Sequence, residues 1–109
     1  MTLRLNKPRG VAVDAGGNIY VADTENHRVL KLSAQGQLLL QAGRLHDQKK
    51  DDEHHEPRTL PGRGPGEFHG PSGIAVDAAG RIYVSDTDNR RVQVLSSTGR
   101  ALLTFQLPP

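Results

Sequence analysis

The segment PRGVAVDAGGNIYVADTENHRVLKLSAQG, Pro8 to Gly36, returns without a gap as PSGIAVDAAGRIYVSDTDNRRVQVLSSTG, Pro71 to Gly99. Paired positions stand 63 residues apart: Gly10 with Gly73, Asp14 with Asp77, Asp23 with Asp86, Asn26 with Asn89, Arg28 with Arg91. A repeat of this length is one supersecondary unit, which buries its apolar surface only by stacking on a neighbour. Composition points the same way. With 35% hydrophobic and 4% aromatic residues among 109, the chain is poorly supplied for a self-contained core.

Within each copy, short β-type runs alternate with turn residues, the pattern of a meander. Val11–Val13 and Ile74–Val76 are the first strands, closed by the turns Asp14–Gly17 and Asp77–Gly80. Ile19–Val21 and Ile82–Val84 are the second, followed by the turns Asp23–Asn26 and Asp86–Asn89. Arg28–Leu32 and Arg91–Leu95 are the third, and Leu38–Gln41 and Ala101–Phe105 the fourth. IYVA and IYVS are apolar on both faces, as expected of a sheet lying between two other layers. Stacked four-stranded antiparallel sheets of this kind are the blades of a β-propeller. The expected fold is therefore all-β: two four-stranded antiparallel blades forming part of a propeller.

The motif Pro-x-Gly-[Val/Ile]-Ala-Val-Asp, then Gly-x-Ile-Tyr-Val-[Ala/Ser]-Asp-Thr-x-Asn-x-Arg-Val, resembles the NHL repeat. The first copy carries Asn26-His27-Arg28, and the second departs to Asn89-Arg90-Arg91. Gly64-Pro65-Gly66-Glu67-Phe68 resembles the lead-in to a new blade. The resemblance implies a six-bladed propeller, with blades at 8–43 and 68–107 and a polar inter-blade insertion at 44–67. Two blades do not close a ring, for which about 4–8 are needed. The first expectation is thus a fragment of a six-bladed propeller. A head-to-tail homotrimer closing a six-bladed ring comes second, and an open half-propeller third.

Fourteen basic and twelve acidic residues are mixed along the chain, giving a net charge of +2 and no basic stripe. This argues against a nucleic-acid partner. No cysteine is present, which removes disulfides, thiolate metal sites and cysteine nucleophiles. MTLRLNKPRG has no apolar h-region and no run approaches a membrane span, so a soluble chain with no membrane partner is expected, its compartment unassigned.

The repeated polar set Asp23, Asn26, Arg28 and Asp86, Asn89, Arg91 reads as structural, with Asp and Asn capping the turn and Arg pairing with Asp. An active site is rarely duplicated in every blade. The run from Gly43 to Glu67 places His46, His54 and His55 among carboxylates, but no metal-ligand spacing emerges and Lys49 and Lys50 interrupt it. The reading preferred for it is a solvated loop with no metal and no cofactor, the histidines being weak ligand candidates only.

In an up-and-down blade the connection from strand four to the next strand one shares an end with the strand two–three turn. Arg9, Glu25, His27, Ser72, Asp88 and Arg90 are thereby expected on one face, the candidate binding face for a protein, peptide or glycan partner. The copies differ in charge character at His27 and Arg90, which marks these two as specificity positions. The resemblance also implies interaction modules in ubiquitin-ligase, sensor-kinase and secreted proteins, some RNA-binding members, and metal-dependent lyases or lactonase-like hydrolases. The first strands, GVAV and GIAV, place no His or Glu toward a channel, and no G-x-S-x-G or phosphate-binding loop occurs. The expectation is a binding scaffold that is not an enzyme, with a metal-dependent propeller enzyme or an RNA-binding propeller as the alternatives.

Overall fold

The computed structural model describes residues 3–46 and 58–108. Among the described residues nine strands form two antiparallel sheets. The first sheet runs β1 (Gly10–Val13), β2 (Ile19–Asp23), β3 (Arg28–Leu32), β4 (Leu38–His46) and β5 (Arg58–Leu60). The second runs β6 (Pro71–Val76), β7 (Ile82–Asp86), β8 (Arg91–Leu95) and β9 (Ala101–Gln106). Among the described residues no helix is long and apolar enough to cross a membrane.

Turn chemistry sets the meander. Asp14 Oδ1 accepts from the Gly16 and Asn18 amides, and Asp77 Oδ1 accepts from Ala79 and Arg81. These aspartates hold the first turn closed while Gly17 and Gly80, at φ 87° and 85°, supply its left-handed residue. Asp14 Oδ2 also accepts the Tyr20 hydroxyl at 2.8 Å, and Asp77 accepts Tyr83 at 2.9 Å.

The fold departs from expectation in two places. The first sheet has five strands, because β4 runs on past Gly43 and pairs with β5 through Arg44↔Leu60 and Leu45↔Thr59. Two ends of the segment expected to be a loop are thus β-paired, which satisfies their backbone groups. His46 ends β4, while His54 and His55 lie outside the described residues. The second strands also differ between copies. β2 is buried from Tyr20 to Asp23, whereas β7 alternates, with Ile82 and Val84 buried and Ser85 exposed. The reason is that β7 has a sheet on one side only.

The two sheets stack, with β6 running against β1 and β2. Ala12, Tyr20, Val29, Leu40 and Ala42 of the first sheet meet Ile74, Val76, Ile82, Val84 and Leu95 of the second around Phe68. At Gly10 the backbones come so close that a Cβ would sit 2.5 Å from the Ser72 carbonyl oxygen. This joint between blades is the core, and burying each large aliphatic or aromatic side chain there contributes about 1.5–3 kcal/mol.

Candidate functional site

The turns after β2 and β7 are single 3-10 turns, Thr24–Asn26 and Thr87–Asn89, each ended by a residue in the left-handed region: His27 at φ 54° and Arg90 at φ 55°. Neither Asp23 nor Asp86 caps its own turn with its side chain. Each reaches instead to the chain entering its blade. Asp23 Oδ1 accepts from the Asn6 amide and Asp86 Oδ1 from the His69 amide. Their Oδ2 atoms take Nε of Arg28 and Arg91 at 2.7 Å and the Asn26 and Asn89 amides at 2.9 Å. The arginines then donate to the Arg4 and Glu67 carbonyls. The repeated Asp-Asn-Arg set is a clamp on the lead-in segment, with Asp and Arg both buried.

Holding the lead-in of blade two in place sets His69 and Gly70 beside the first blade's turn. Gly70 N–H donates to His27 Nδ1 at 3.0 Å, and the His27 and His69 rings meet edge to face with centroids 5.2 Å apart. Thr24 Oγ1 donates to the Pro71 carbonyl at 2.7 Å, tying the same turn to β6. The result is a cleft of about 370 Å³ over the seam between blades. Arg9, Glu25, His27, Ser72 and Asp88 all line it. Arg90 does not: its guanidinium donates to the Pro108 carbonyl at the far edge of blade two.

His69, Gly70, Thr24 and Thr87 also line the cleft. The sequence reading passed over all four. The position of His69 and Gly70 between Phe68 and Pro71, in the lead-in rather than in the turn, was the available signal.

Electrostatically the cleft is mixed. Burial, and then the neighbouring His69 ring, hold His27 below the ordinary imidazole value, opposed by Glu25, Asp88 and Asp86. Neutral His27 uses Nδ1 as an acceptor and keeps a proton on Nε2 to donate. His69 Nε2 stands 3.8 Å from Asp88 Oδ2, and Ser72 Oγ and Thr87 Oγ1 are 2.5 Å apart. Donors and acceptors of both signs thus face one opening. Among the described residues no group of three or more His, Cys, Asp or Glu is placed to hold a metal.

The NHL repeat family model matches residues 5–32 and 68–95, just over half of the chain and the segments that build the two clamps. The chain belongs to the NHL-repeat family. It is 32% identical over 95 residues to human NHL repeat-containing protein 3, and 30% identical to the mouse protein. Each alignment takes in 84% of this chain and 23% of the relative, so the chain spans about a quarter of their length.

The blades of this NHL-repeat chain superpose on solved propellers. A streptogramin B lyase structure matches all of the chain and 29% of its own length at TM-score 0.64 and 13% identity. Virginiamycin B lyase from Staphylococcus aureus matches 94% of the chain and 27% of its own at 0.60 and 11%. Luciferin-regenerating enzyme matches 95% and 31% at 0.58 and 16%. These identities carry the fold alone. They nonetheless overturn the expectation that this scaffold is not an enzyme, because the structures sharing its blade pair are enzymes and the fold cannot be used to exclude catalysis.

Proposed function

We propose that the chain is a binding module whose seam cleft takes a polar segment of a protein or peptide partner. The observation that supports this most is the convergence on one opening of five residues from four separate stretches of sequence: Arg9, Glu25, His27, Ser72 and Asp88. Nothing in the clamp needs Glu25, Asp88 or Arg9 to carry charge, since it is completed by Asp23, Asn26 and Arg28 and their counterparts. The charges at the rim are therefore available to a partner. Arg9 suits a carboxylate, Glu25 and Asp88 suit a lysine or a free amine, and the Ser72 and Thr87 hydroxyls suit backbone groups. A peptide offers all three, whereas a neutral glycan, or one carrying carboxylates or sulfates, brings no cation to match Glu25 and Asp88.

The test is selection of a random peptide library on the purified chain, with counter-selection on the Glu25→Lys/Asp88→Lys variant. The reading predicts enriched peptides that bind the unaltered chain and weaken at least tenfold on that variant and on Arg9→Glu. Enriched peptides that bind all three proteins equally would place recognition elsewhere and overturn it.

A further inference from the structure

The blade joint inside this chain has two sides, and each side is repeated on an outer face that no other described sheet covers. Blade one's joint side has Tyr20, Leu40 and Ala42, and the equivalents 63 residues on are Tyr83, Leu103 and Phe105 on the outer face of blade two. Leu103 and Phe105 are each 58% exposed. Blade two's joint side has Ile74, Val76, Phe68 and Gly99, and their equivalents Val11, Val13, Leu5 and Gly36 lie on the outer face of blade one. Phe68 is fully buried while Leu5 is 44% and Val11 68% exposed.

Specific contacts are half-made in the same way. Leu40 packs on Gly99, where a Cβ would lie 2.9 Å from its methyl, while none of the described residues stands within 4 Å of a Cβ at Gly36. Thr24 donates to the Pro71 carbonyl, while its counterpart Thr87, exposed, shares a hydrogen bond with Ser72 Oγ and has Pro8 at the position corresponding to Pro71. Gly10 meets the Ser72 backbone, whereas at Gly73 the nearest neighbour is Ser85 of its own blade, whose Oγ lies 3.0 Å from where a Cβ would sit. Lys7 already has φ 50°, close to the 62° of its counterpart Gly70. One bond has no equivalent, since Arg90 cannot accept as His27 Nδ1 does.

We infer that the two outer faces are complementary halves of one joint, and that a second copy of this chain docks there head to tail, blade two of one copy on blade one of the next. Such a contact is heterologous and closes into a ring when its rotation closes. Propellers of about 4–8 blades correspond to two to four copies, and three is the number matching the six-bladed expectation.

The absence of cysteine makes the test clean. Gln35→Cys, exposed beside Gly36, and Leu103→Cys are placed on separate preparations of the full chain, mixed, and treated with a short bismaleimide, alongside light scattering across a hundredfold concentration range. The expected result is a 35-to-103 cross-link between copies and a species of two to four chain masses. Leu103→Lys, at an exposed position, should retain β-sheet circular dichroism and return the chain to one mass. A monomer throughout the range, or cross-links only between like positions such as 103 to 103, would overturn the head-to-tail joint.

Discussion

Arg28 Nε and Asp23 Oδ2 stand 2.7 Å apart with both side chains removed from water, and the pair fastens blade one to its own lead-in segment. Arg91 and Asp86 repeat it at the same distance. Removing one partner leaves a buried charge uncompensated, which costs about 3–5 kcal/mol. Asp23→Ala is expected to destabilise by that amount, and Asp86→Ala similarly, measured by urea denaturation. A loss below about 1 kcal/mol would mean the clamp is not closed in solution.

Phe68 and Leu5 occupy the same repeat position but only Phe68 lies inside the joint. Phe68→Ala should cost about 3–5 kcal/mol. Leu5→Ala should stay within about 0.5 kcal/mol, as for an exposed site in the single chain. Comparable losses at both would show that the outer face of blade one is already covered, so the measurement belongs at concentrations where the chain is a monomer.

Much of this architecture was legible beforehand because it is periodic. The strands, the first turns and the residues of the clamp all follow from IYV, DAxG and DTxNxR recurring at one interval. The direction of the clamp was not legible: Asp23 accepts from Asn6, seventeen positions upstream, where nothing in a local turn pattern points. Five of the six face residues converge as the meander requires, and Arg90 fails because it has no following blade to face. The pairing of β4 with β5 escaped detection because RLH and RTL, at the ends of a strongly polar run, are too short to show period-two alternation. The unequal burial of Tyr20 and Tyr83 lies beyond any reading of identical motifs, since it depends on which copy has a neighbour.

The first-turn aspartates predict an acid limb. Side-chain donation from Asn18 and then from Tyr20 holds Asp14 at about 2, against an ordinary 3.8. For Asp77 burial works the other way, but the Arg81 amide and guanidinium and the Tyr83 hydroxyl outweigh it and hold it at about 2 as well. Both values are depressed on folding, so the stability they confer is present above 3.8 and lost as pH falls through 2. The thermal midpoint should drop across that window, and Asp14→Asn/Asp77→Asn should flatten the drop. An unchanged profile in the double variant would remove these carboxylates from the account.

Tyr20 predicts the opposite limb. Burial, and then the hydrogen bond to Asp14, push its phenol up to about 12 from an ordinary 10. The folded chain holds a proton that the unfolded chain releases, so stability falls as pH rises past 10. Spectrophotometric titration should show Tyr20 ionising near 12 and Tyr83 also above 10, and Asp14→Asn/Asp77→Asn should lower both, with Tyr20 still above 10 because its burial remains.

His27 is lowered on folding, by burial first and His69 second. The unfolded chain therefore binds the proton more readily, and stability declines as pH falls through 6.5 toward the lower folded value. Protonation at Nδ1 also removes the acceptor for the Gly70 amide. In an NMR titration the His27 Cε1 proton should move below pH 6.5. A midpoint above 6.5 would mean the ring is solvated and the seam open.

The seam cleft exists only where the two NHL blades meet face to face, with Leu40 packed on Gly99. The most direct check is an NMR distance measurement between the Leu40 methyls and the Gly99 α-protons, on dilute monomer. The docked blades predict a strong cross-relaxation signal between them. Its absence, with the signals along β2–β3 and β7–β8 intact, would show two folded sheets without a joint, and the cleft between them would not exist.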